Sequence, residues 1–201
     1  MLTSVEQLEE IYGEPNERSV RKEISYISKD YAAFILASPF VMLASAGEDG
    51  LDCSPKGDAA GFVRIVDAHT LAIPDRPGNN RIDTLRNLVH DPRLALLFLV
   101  PGVGEMMRVN GRASIADDSE LLASFSVNGK APRTVILVHV ESVYFHCSKA
   151  VVRSDLWNSE KHVDRSTLPS AGAMLQNVSD ASFDGDAYDR ALPGRLKTDL
   201  Y

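Results

Sequence analysis

The spacing of apolar residues changes about forty residues into the chain. Between residues 24 and 36, apolar side chains recur at three- and four-residue steps, which predicts one face of a helix. Ser38-Pro39 ends that helix, because a residue before proline avoids helical geometry. The segments that follow are short, apolar or alternating, and separated by turn residues. They predict seven strands, at residues 40–44, 51–54, 62–66, 70–73, 94–100, 107–115 and 134–146.

Two predicted helices interrupt this β region. Residues 79–89 carry an apolar stripe at helical spacing, with Asn79 or Asn80 available as the N-cap. A shorter helix is predicted at residues 118–125. These helices are too few to supply the crossovers of a parallel sheet, so the pattern favours a mainly β fold, an antiparallel barrel with peripheral helices.

The chain divides into three segments by pattern. Residues 1–39 form an N-terminal helical segment, and residues 40–158 form the barrel. Residues 159–201 are rich in Asp, Ser, Ala, Gly and Pro and show no sustained periodicity. We expect this C-terminal extension to pack on the barrel or on a partner subunit.

Composition and charge narrow the class of function. The 201 residues carry a net charge of −7, which disfavours a nucleic-acid partner. Between Lys56 and Arg112, however, there are eight basic and six acidic side chains, so this stretch of sequence is positively charged. A small anion is therefore the better candidate ligand. The longest run of large apolar residues is too short for a membrane span. Cys53 and Cys147 form neither a disulfide framework nor a zinc pattern, so we expect a reduced, cytoplasmic protein without a metal site.

The segment from Pro74 to Arg81 is the first candidate site. It joins a strand to a helix, and a helix start presents unpaired N–H groups that commonly hold phosphate. Arg81 stands in or beside the first helical turn, where the helix dipole repels a cation unless an anion is bound. The alternative interpretation is a plain loop with two solvated arginines, Arg76 and Arg81.

Two further basic residues are candidates on strands. Lys56 follows Cys53-Ser54-Pro55 at a strand end, where polar turn chemistry is an equally good explanation. Arg108 shares one face of an alternating strand with Asn110 and Arg112, and this face lines either solvent or a cavity.

A last cluster follows the final strand. His146, Lys149, Arg153 and the single tryptophan, Trp157, combine cations with a large aromatic ring. This combination suits an anionic or planar ligand. Because the chain is leaving its own barrel here, we expect the cluster to reach the site of a partner subunit and form its substrate side. The alternative is that Trp157 packs a dimer seam and the cations are solvated.

In their order along the chain, these segments resemble the pyridoxamine 5′-phosphate oxidase-related proteins, and more narrowly their branch of FMN-dependent enzymes of unassigned substrate. The resemblance covers about residues 30 to 160. The segments that carry it are Ser38-Pro39-Phe40, Ser54-Pro55-Lys56-Gly57-Asp58, Gly61-Phe62-Val63, Ile73-Pro74-Asp75-Arg76, Gly78-Asn79-Asn80-Arg81, Asp91-Pro92-Arg93, Phe98 with Pro101-Gly102, Arg108-Val109-Asn110-Gly111-Arg112-Ala113, and His146-Cys147-Ser148-Lys149-Ala150.

The resemblance implies a six- or seven-stranded antiparallel split β-barrel that works as a homodimer, with FMN sites at the interface. Arg76, Asn79 and Arg81 then correspond to the phosphate side of the cofactor site. The other residues expected to bind the cofactor are Lys56, Arg64, Pro74, Asp75 and Arg108. Lys56 or Arg108 would stabilise the reduced flavin anion.

The implied function is FMN-dependent oxidoreduction of a small molecule. The chain lacks the arginine–lysine strand spacing and the C-terminal arginine–histidine signature of the true oxidases, so pyridoxamine phosphate itself is not implied as the substrate. Two alternatives stay open at this point. One is a non-catalytic carrier of flavin or haem, and the other is a reductase that uses a deazaflavin.

Overall fold

The computed structural model describes residues 1–48, 50–179 and 182–201. These residues form seven strands: β1 Phe40–Gly47, β2 Gly50–Gly57, β3 Arg64–Asp67, β4 Thr70–Pro74, β5 Arg93–Leu99, β6 Met106–Ala116 and β7 Val135–His146. They also form eight α-helices: α1 Val5–Tyr12, α2 Glu17–Arg21, α3 Lys29–Ala37, α4 Asp83–His90, α5 Ser119–Ser124, α6 Lys149–Ser154, α7 Ala171–Val178 and α8 Gly185–Thr198. Two short 3-10 turns lie at Ser159–Lys161 and Arg165–Thr167.

All seven strands belong to one antiparallel sheet, in the order β2-β1-β5-β6-β7-β4-β3. Since β2 and β3 stand at the two edges, the barrel is split and not closed. The predicted mainly β, antiparallel split barrel is therefore confirmed. Each predicted strand is present, with bounds shifted by up to three residues. Pro55 lies in edge strand β2, where a residue without an N–H is tolerated.

One face of the sheet forms the core. Buried side chains alternate along β1, β5 and β6, as the period-two pattern predicts. The largest fully buried side chains include Phe98, Leu43, Leu96 and Met107. Ile35 of α3 is also fully buried and belongs to the same cluster.

The pairing of β6 with β7 depends on a glycine. The register of these strands shifts between Asn110 and Gly111, which marks a β-bulge. A Cβ atom on Gly111 would lie 2.1 Å from the backbone oxygen of His139. No residue with a side chain fits there without moving β7.

The predicted start of the helix before β1 is wrong. This helix, α3, begins at Lys29 and not at residue 24, because the Ser28 hydroxyl accepts a hydrogen bond from the Tyr31 N–H and caps it. Ile24 instead exchanges backbone hydrogen bonds with Val143 of β7. The predicted end at Ser38-Pro39 is confirmed.

The predicted start and cap of the helix after β4 are also wrong. Helix α4 begins at Asp83, and Ile82 occupies the N-cap position without any side-chain cap. Asn80 and Ile82 have φ values of 58° and 54°, which a helix does not accept. Asn79 contributes its side chain to a local turn, with Oδ1 accepting from the Arg81 N–H at 3.1 Å.

The C-terminal extension contains α7 and α8, although no sustained periodicity predicts them. Ser170 and Asp184 cap these two helices, which pack on each other. A Cβ atom on Gly172 would lie 2.0 Å from the Gly185 oxygen, so the helix backbones are in close contact. Packing through small residues leaves no broad apolar stripe in the sequence. None of the helices in the described ranges is both long enough and apolar enough to cross a membrane.

Candidate functional site

A cleft of about 760 Å³ opens at the end of β4. Its walls are β2, the loop and first turn of α4 at residues 74–85, and the two residues before β7. The sheet register explains this arrangement, because Pro74 at the end of β4 lies opposite Val135 at the start of β7. The volume is within the range of about 300–1,000 Å³ that is usual for small-molecule and cofactor sites.

The start of α4 forms one wall of the cleft. Asp83, Thr84 and Leu85 of the first turn all line it. The first N–H groups of a helix have no partner within the helix, and Ile82 provides no side-chain oxygen to cap them. Together with the helix dipole, these N–H groups favour an anion in the cleft.

Three of the predicted basic residues line this cleft, and each contacts the carboxylate of an aspartate. Lys56 Nζ lies 2.6 Å from Asp75 Oδ1, Arg76 Nε 2.7 Å from Asp58 Oδ2, and Arg81 Nε 2.7 Å from Asp83 Oδ2. The Arg81–Asp83 pair is exposed, whereas the other two pairs are largely buried. The charges of Lys56 and Arg76 are therefore already balanced within the protein.

The Arg76–Asp58 pair is the most enclosed of the three. Arg76 also donates to the Phe125 carbonyl at 2.8 Å, and Asp58 accepts from the Tyr201 hydroxyl at 2.6 Å. Burial alone would raise the pKa of Asp58. Hydrogen bonds from Tyr201, from the Ala59 N–H and from Arg76 outweigh burial and lower that pKa below its ordinary value.

Tyr201, which follows α8, holds this helix beside the cleft. The Tyr201 backbone oxygen accepts from Lys130 Nζ at 2.5 Å, and its ring lies 5.5 Å from the Arg76 guanidinium carbon. The hydrogen bond to Asp58 raises the pKa of the Tyr201 hydroxyl. A second cavity of about 590 Å³ lies between α8 and the segment at Asp58.

Six of the residues predicted to bind the cofactor are brought together in the cleft: Lys56, Pro74, Asp75, Arg76, Asn79 and Arg81. Arg64 lies outside it. Its guanidinium donates to the Ser124 hydroxyl and carbonyl oxygens at 2.9 and 2.5 Å and covers the Phe125 ring at 3.8 Å. Arg64 thus attaches α5 to β3 in a single protomer, and its role at a cofactor stays a prediction.

Arg108 also lies outside the cleft, in a second group of side chains. Its guanidinium carbon lies 5.6 Å from the centre of the Tyr144 ring, and the Tyr144 and His146 rings are 5.3 Å apart. Lys22 Nζ lies 5.8 Å from the Tyr144 ring. Burial, Arg108 and Lys22 each lower the pKa of His146, and burial has the largest effect.

The remaining residues of the predicted substrate side follow β7. Lys149 and Arg153 lie on α6 and are exposed, and Trp157 Nε1 donates to the Val103 carbonyl at 2.8 Å. These residues and His146 follow the end of β7, whereas the cleft lies at its start. None of these four residues lines the cleft in one protomer. One protomer alone does not unite them.

The cleft residues that were not predicted from the sequence include Asp52, Thr84, Arg133 and Thr134. Asp52 accepts hydrogen bonds from Ser54 and from Thr84, the latter at 2.6 Å. Arg133 and Thr134 reach the cleft only because β7 pairs with β4. No local signal marks Arg133 and Thr134, since they are separated from β4 by some sixty residues of sequence.

Comparison with known proteins agrees with this architecture. The family model described as pyridoxamine 5′-phosphate oxidase matches residues 27–147, a range that includes every strand and the whole cleft. A comparison with curated proteins gives no match.

Solved structures with a similar chain course include HupZ from Group A Streptococcus, at 18% identity over 58% of this chain and 91% of that chain, with a TM-score of 0.48. General stress protein 26 from Bacillus anthracis shows 16% identity over 57% and 88%, with a TM-score of 0.45. An FMN-binding protein from Syntrophomonas wolfei shows 14% identity over 70% and 91%, with a TM-score of 0.42. Likenesses this distant support no functional assignment.

Proposed function

Because the chain belongs to the pyridoxamine 5′-phosphate oxidase family, we propose that it binds FMN in the cleft at the end of β4 and acts as an FMN-dependent oxidoreductase on a small molecule. One observation carries this proposal. The start of α4 has no side-chain cap, and it forms a wall of a cleft that four basic side chains line. This combination suits the phosphate of a flavin nucleotide.

The residues of the cleft fit the cofactor in two parts. Asn79 and Arg81, beside the start of α4, would hold the phosphate, and Arg81 is exposed enough to exchange its contact with Asp83 for a ligand. Lys56 would lie nearer the flavin ring, where a cation stabilises negative charge. FMN supplies the hydride or electron transfer when bound, while the protein supplies position and charge.

We propose that the protein is a homodimer joined through the outer face of the sheet. The side chains of β5 that point away from the core are Ala95, Leu97 and Leu99, and all are only partly buried in one protomer. Leu97 has Met42 as its neighbour on β1 and Arg108 on β6. An apolar strip of this kind is stabilised by a partner subunit.

A dimer would also bring this second group of side chains to the cleft. In the proposed arrangement His146, Lys149, Arg153 and Trp157 of one protomer form the substrate side of the partner's cleft. Arg108 is close to His146 within the same group, so it would contact the flavin from the partner as well. The half-buried state of Arg108 and His146 supports this arrangement, because neither is fully solvated in one protomer.

We also propose a cytoplasmic location. Cys53 and Cys147 are both free and exposed. Free, exposed thiols are typical of a reducing compartment.

The first experiment is the absorption spectrum of the purified protein. Flavin absorption, release of FMN on denaturation and bleaching of the bound flavin by NADH or NADPH would support the proposal. A Soret band would identify a haem carrier instead, and a co-purifying deazaflavin in the mass spectrum would identify the third class. A protein that binds no FMN in titration would refute the proposal.

The phosphate side is tested by Arg81→Ala. Loss of one charge-assisted hydrogen bond costs about 1.5–3 kcal/mol, which corresponds to roughly ten- to a hundredfold in FMN affinity. Arg21→Ala is the matched control, because Arg21 is also exposed and paired with a carboxylate, Glu17, but lies outside the cleft. Equal FMN affinity for both variants would place the phosphate elsewhere.

The dimer is tested by light scattering and by mixed dimers. We expect a dimer at micromolar concentration, with an interface at or above about 2,000 Å² of total buried surface. For shared sites, an Arg81→Ala subunit is mixed with a Lys149→Ala, Trp157→Ala subunit. One site of the mixed dimer then carries all lesions and the other carries none, so half of the sites bind FMN with the affinity of the unmodified protein. Mixed dimers that regain no such site would place the cluster outside the cofactor site.

A further inference from the structure

Among the residues that the structure describes, one basic residue of the cleft has no carboxylate partner. Lys56, Arg76 and Arg81 each contact an aspartate, as described above. Arg133 is exposed and forms no ion pair with any residue that the structure describes. Its guanidinium makes a long hydrogen bond of 3.4 Å to Asn80 Oδ1. The charge of Arg133 is therefore available to a ligand.

The neighbouring residue provides a second, independent observation that points to a ligand. The Thr134 hydroxyl oxygen is buried and has no hydrogen-bond partner within residues 1–48, 50–179 and 182–201. A buried hydroxyl without a partner destabilises a protein, so such groups are rare. Thr134 lines the same cleft, and its backbone oxygen accepts from the Asp75 N–H at 2.9 Å, which fixes it beside the end of β4.

The position of Arg133 indicates what kind of group it would bind. Asn80, its hydrogen-bond partner, belongs to the loop that leads into α4. The guanidinium therefore lies beside the loop that contains Asn79 and Arg81. A guanidinium held beside a helix start favours a phosphate group, which accepts several hydrogen bonds and carries close to two negative charges.

We propose that Arg133 binds the phosphate of the ligand in this cleft and that the Thr134 hydroxyl donates a hydrogen bond to the same ligand. The ligand class is a phosphate monoester, and the proposal rests on the FMN site proposed above. Asn80 serves as a positioning residue that holds the guanidinium towards the loop. The pair Arg133-Thr134 thus distinguishes a phosphorylated ligand from its dephosphorylated form.

The test compares FMN with riboflavin, which lacks only the phosphate, by calorimetric titration of the full chain. We expect Arg133→Ala to weaken FMN binding about ten- to a hundredfold and to change riboflavin binding less than about twofold. Arg133→Lys should restore part of the loss. Arg86→Ala is the control, because Arg86 is an arginine of α4 that does not line the cleft. Circular dichroism and thermal unfolding verify that each variant is folded.

Thr134→Val separates a ligand contact from a structural role. Valine has nearly the same shape and removes a polar atom that has no partner among the described residues, so the thermal midpoint should stay equal or rise. FMN affinity should nevertheless fall severalfold. A variant with unchanged FMN affinity would overturn the role of Thr134.

The outcomes distinguish this inference from the proposed function. If the unmodified protein binds FMN and Arg133→Ala binds it equally well, or loses FMN and riboflavin alike, the role of Arg133 is overturned while the flavin site stands. If the unmodified protein binds neither flavin, the proposed function fails and titration with inorganic phosphate decides about Arg133. Phosphate binding that Arg133→Ala abolishes would support the inference, and absent or unchanged phosphate binding would overturn it.

Discussion

The ion pair between Arg76 and Asp58 offers the sharpest test of how the cleft is stabilised. The exposed fractions of the two side chains are 15% and 4%. Asp58→Asn would leave the Arg76 charge largely buried without its carboxylate and would weaken the hydrogen bond from Tyr201. Breaking a buried pair in this way costs about 3–5 kcal/mol, and the partial exposure of Arg76 favours the lower end, about 3 kcal/mol.

The loss should be visible in thermal unfolding followed by circular dichroism. For a domain of this size, about 3 kcal/mol lowers the midpoint by roughly 6–12 °C. The control is Glu141→Gln in the Arg112–Glu141 pair, whose side chains are 54% and 50% exposed. This exposed pair contributes at most about 1 kcal/mol. If Asp58→Asn and Glu141→Gln lowered the thermal midpoint by the same small amount, burial would not make the Arg76–Asp58 pair more important for stability than an exposed pair.

The pH dependence gives a second readout of the same pair. The pKa of Asp58 is lower in the folded chain than in the unfolded chain, so its contribution to stability is present above the ordinary carboxyl pKa of about 3.9. That contribution is lost as the pH falls through the lower pKa of the folded state. The difference in stability between the unmodified protein and Asp58→Asn should therefore be constant above about pH 5 and shrink below about pH 4. A difference that grows on acidification would contradict this assignment.

Three further predictions concern the backbone and the second group of side chains. Gly111→Ala should destabilise the protein by about 3 kcal/mol in urea unfolding, because the new Cβ meets the His139 oxygen. Gly194→Ala in α8 should be neutral or stabilising. Equal effects of the two substitutions would contradict the close approach of β7 to Gly111. Ile82→Asn should stabilise the protein by about 1 kcal/mol and so raise the thermal midpoint, because asparagine tolerates a φ of 54° better than isoleucine does. An unchanged or lower midpoint would show that Ile82 is not strained. NMR titration of His146 should give a pKa below the ordinary value of 6.5, and Arg108→Gln should raise this pKa. An unchanged pKa in that variant would show that the charge of Arg108 does not affect the imidazole.

Short-range patterns in the sequence determine most of the barrel. The alternation along β6 predicts which residues face the core, and the burial of Met107 and Val109 confirms it. Strand β5 is predicted with equal clarity, because every residue after Arg93 in it is apolar and no other segment of the sequence has such a long run of large apolar residues. The segment from Pro74 to Arg81 is identified by its place between a strand and a helix, and six predicted residues do meet in one cleft. Each of these inferences rests on residues that are close in sequence.

The tertiary structure decided what depends on distant contacts. The start of α4 follows from left-handed turns at Asn80 and Ile82, which isoleucine gives no reason to expect. Arg133 and Thr134 enter the cleft because β7 pairs with β4, a pairing between segments some sixty residues apart. The aspartates that pair with Lys56 and Arg76 are 19 and 18 residues away along the chain. Folding therefore also decides which cations of the cleft are paired and which can bind a ligand. Sequence patterns report local spacing, whereas charge balance and strand order arise only when remote segments come into contact.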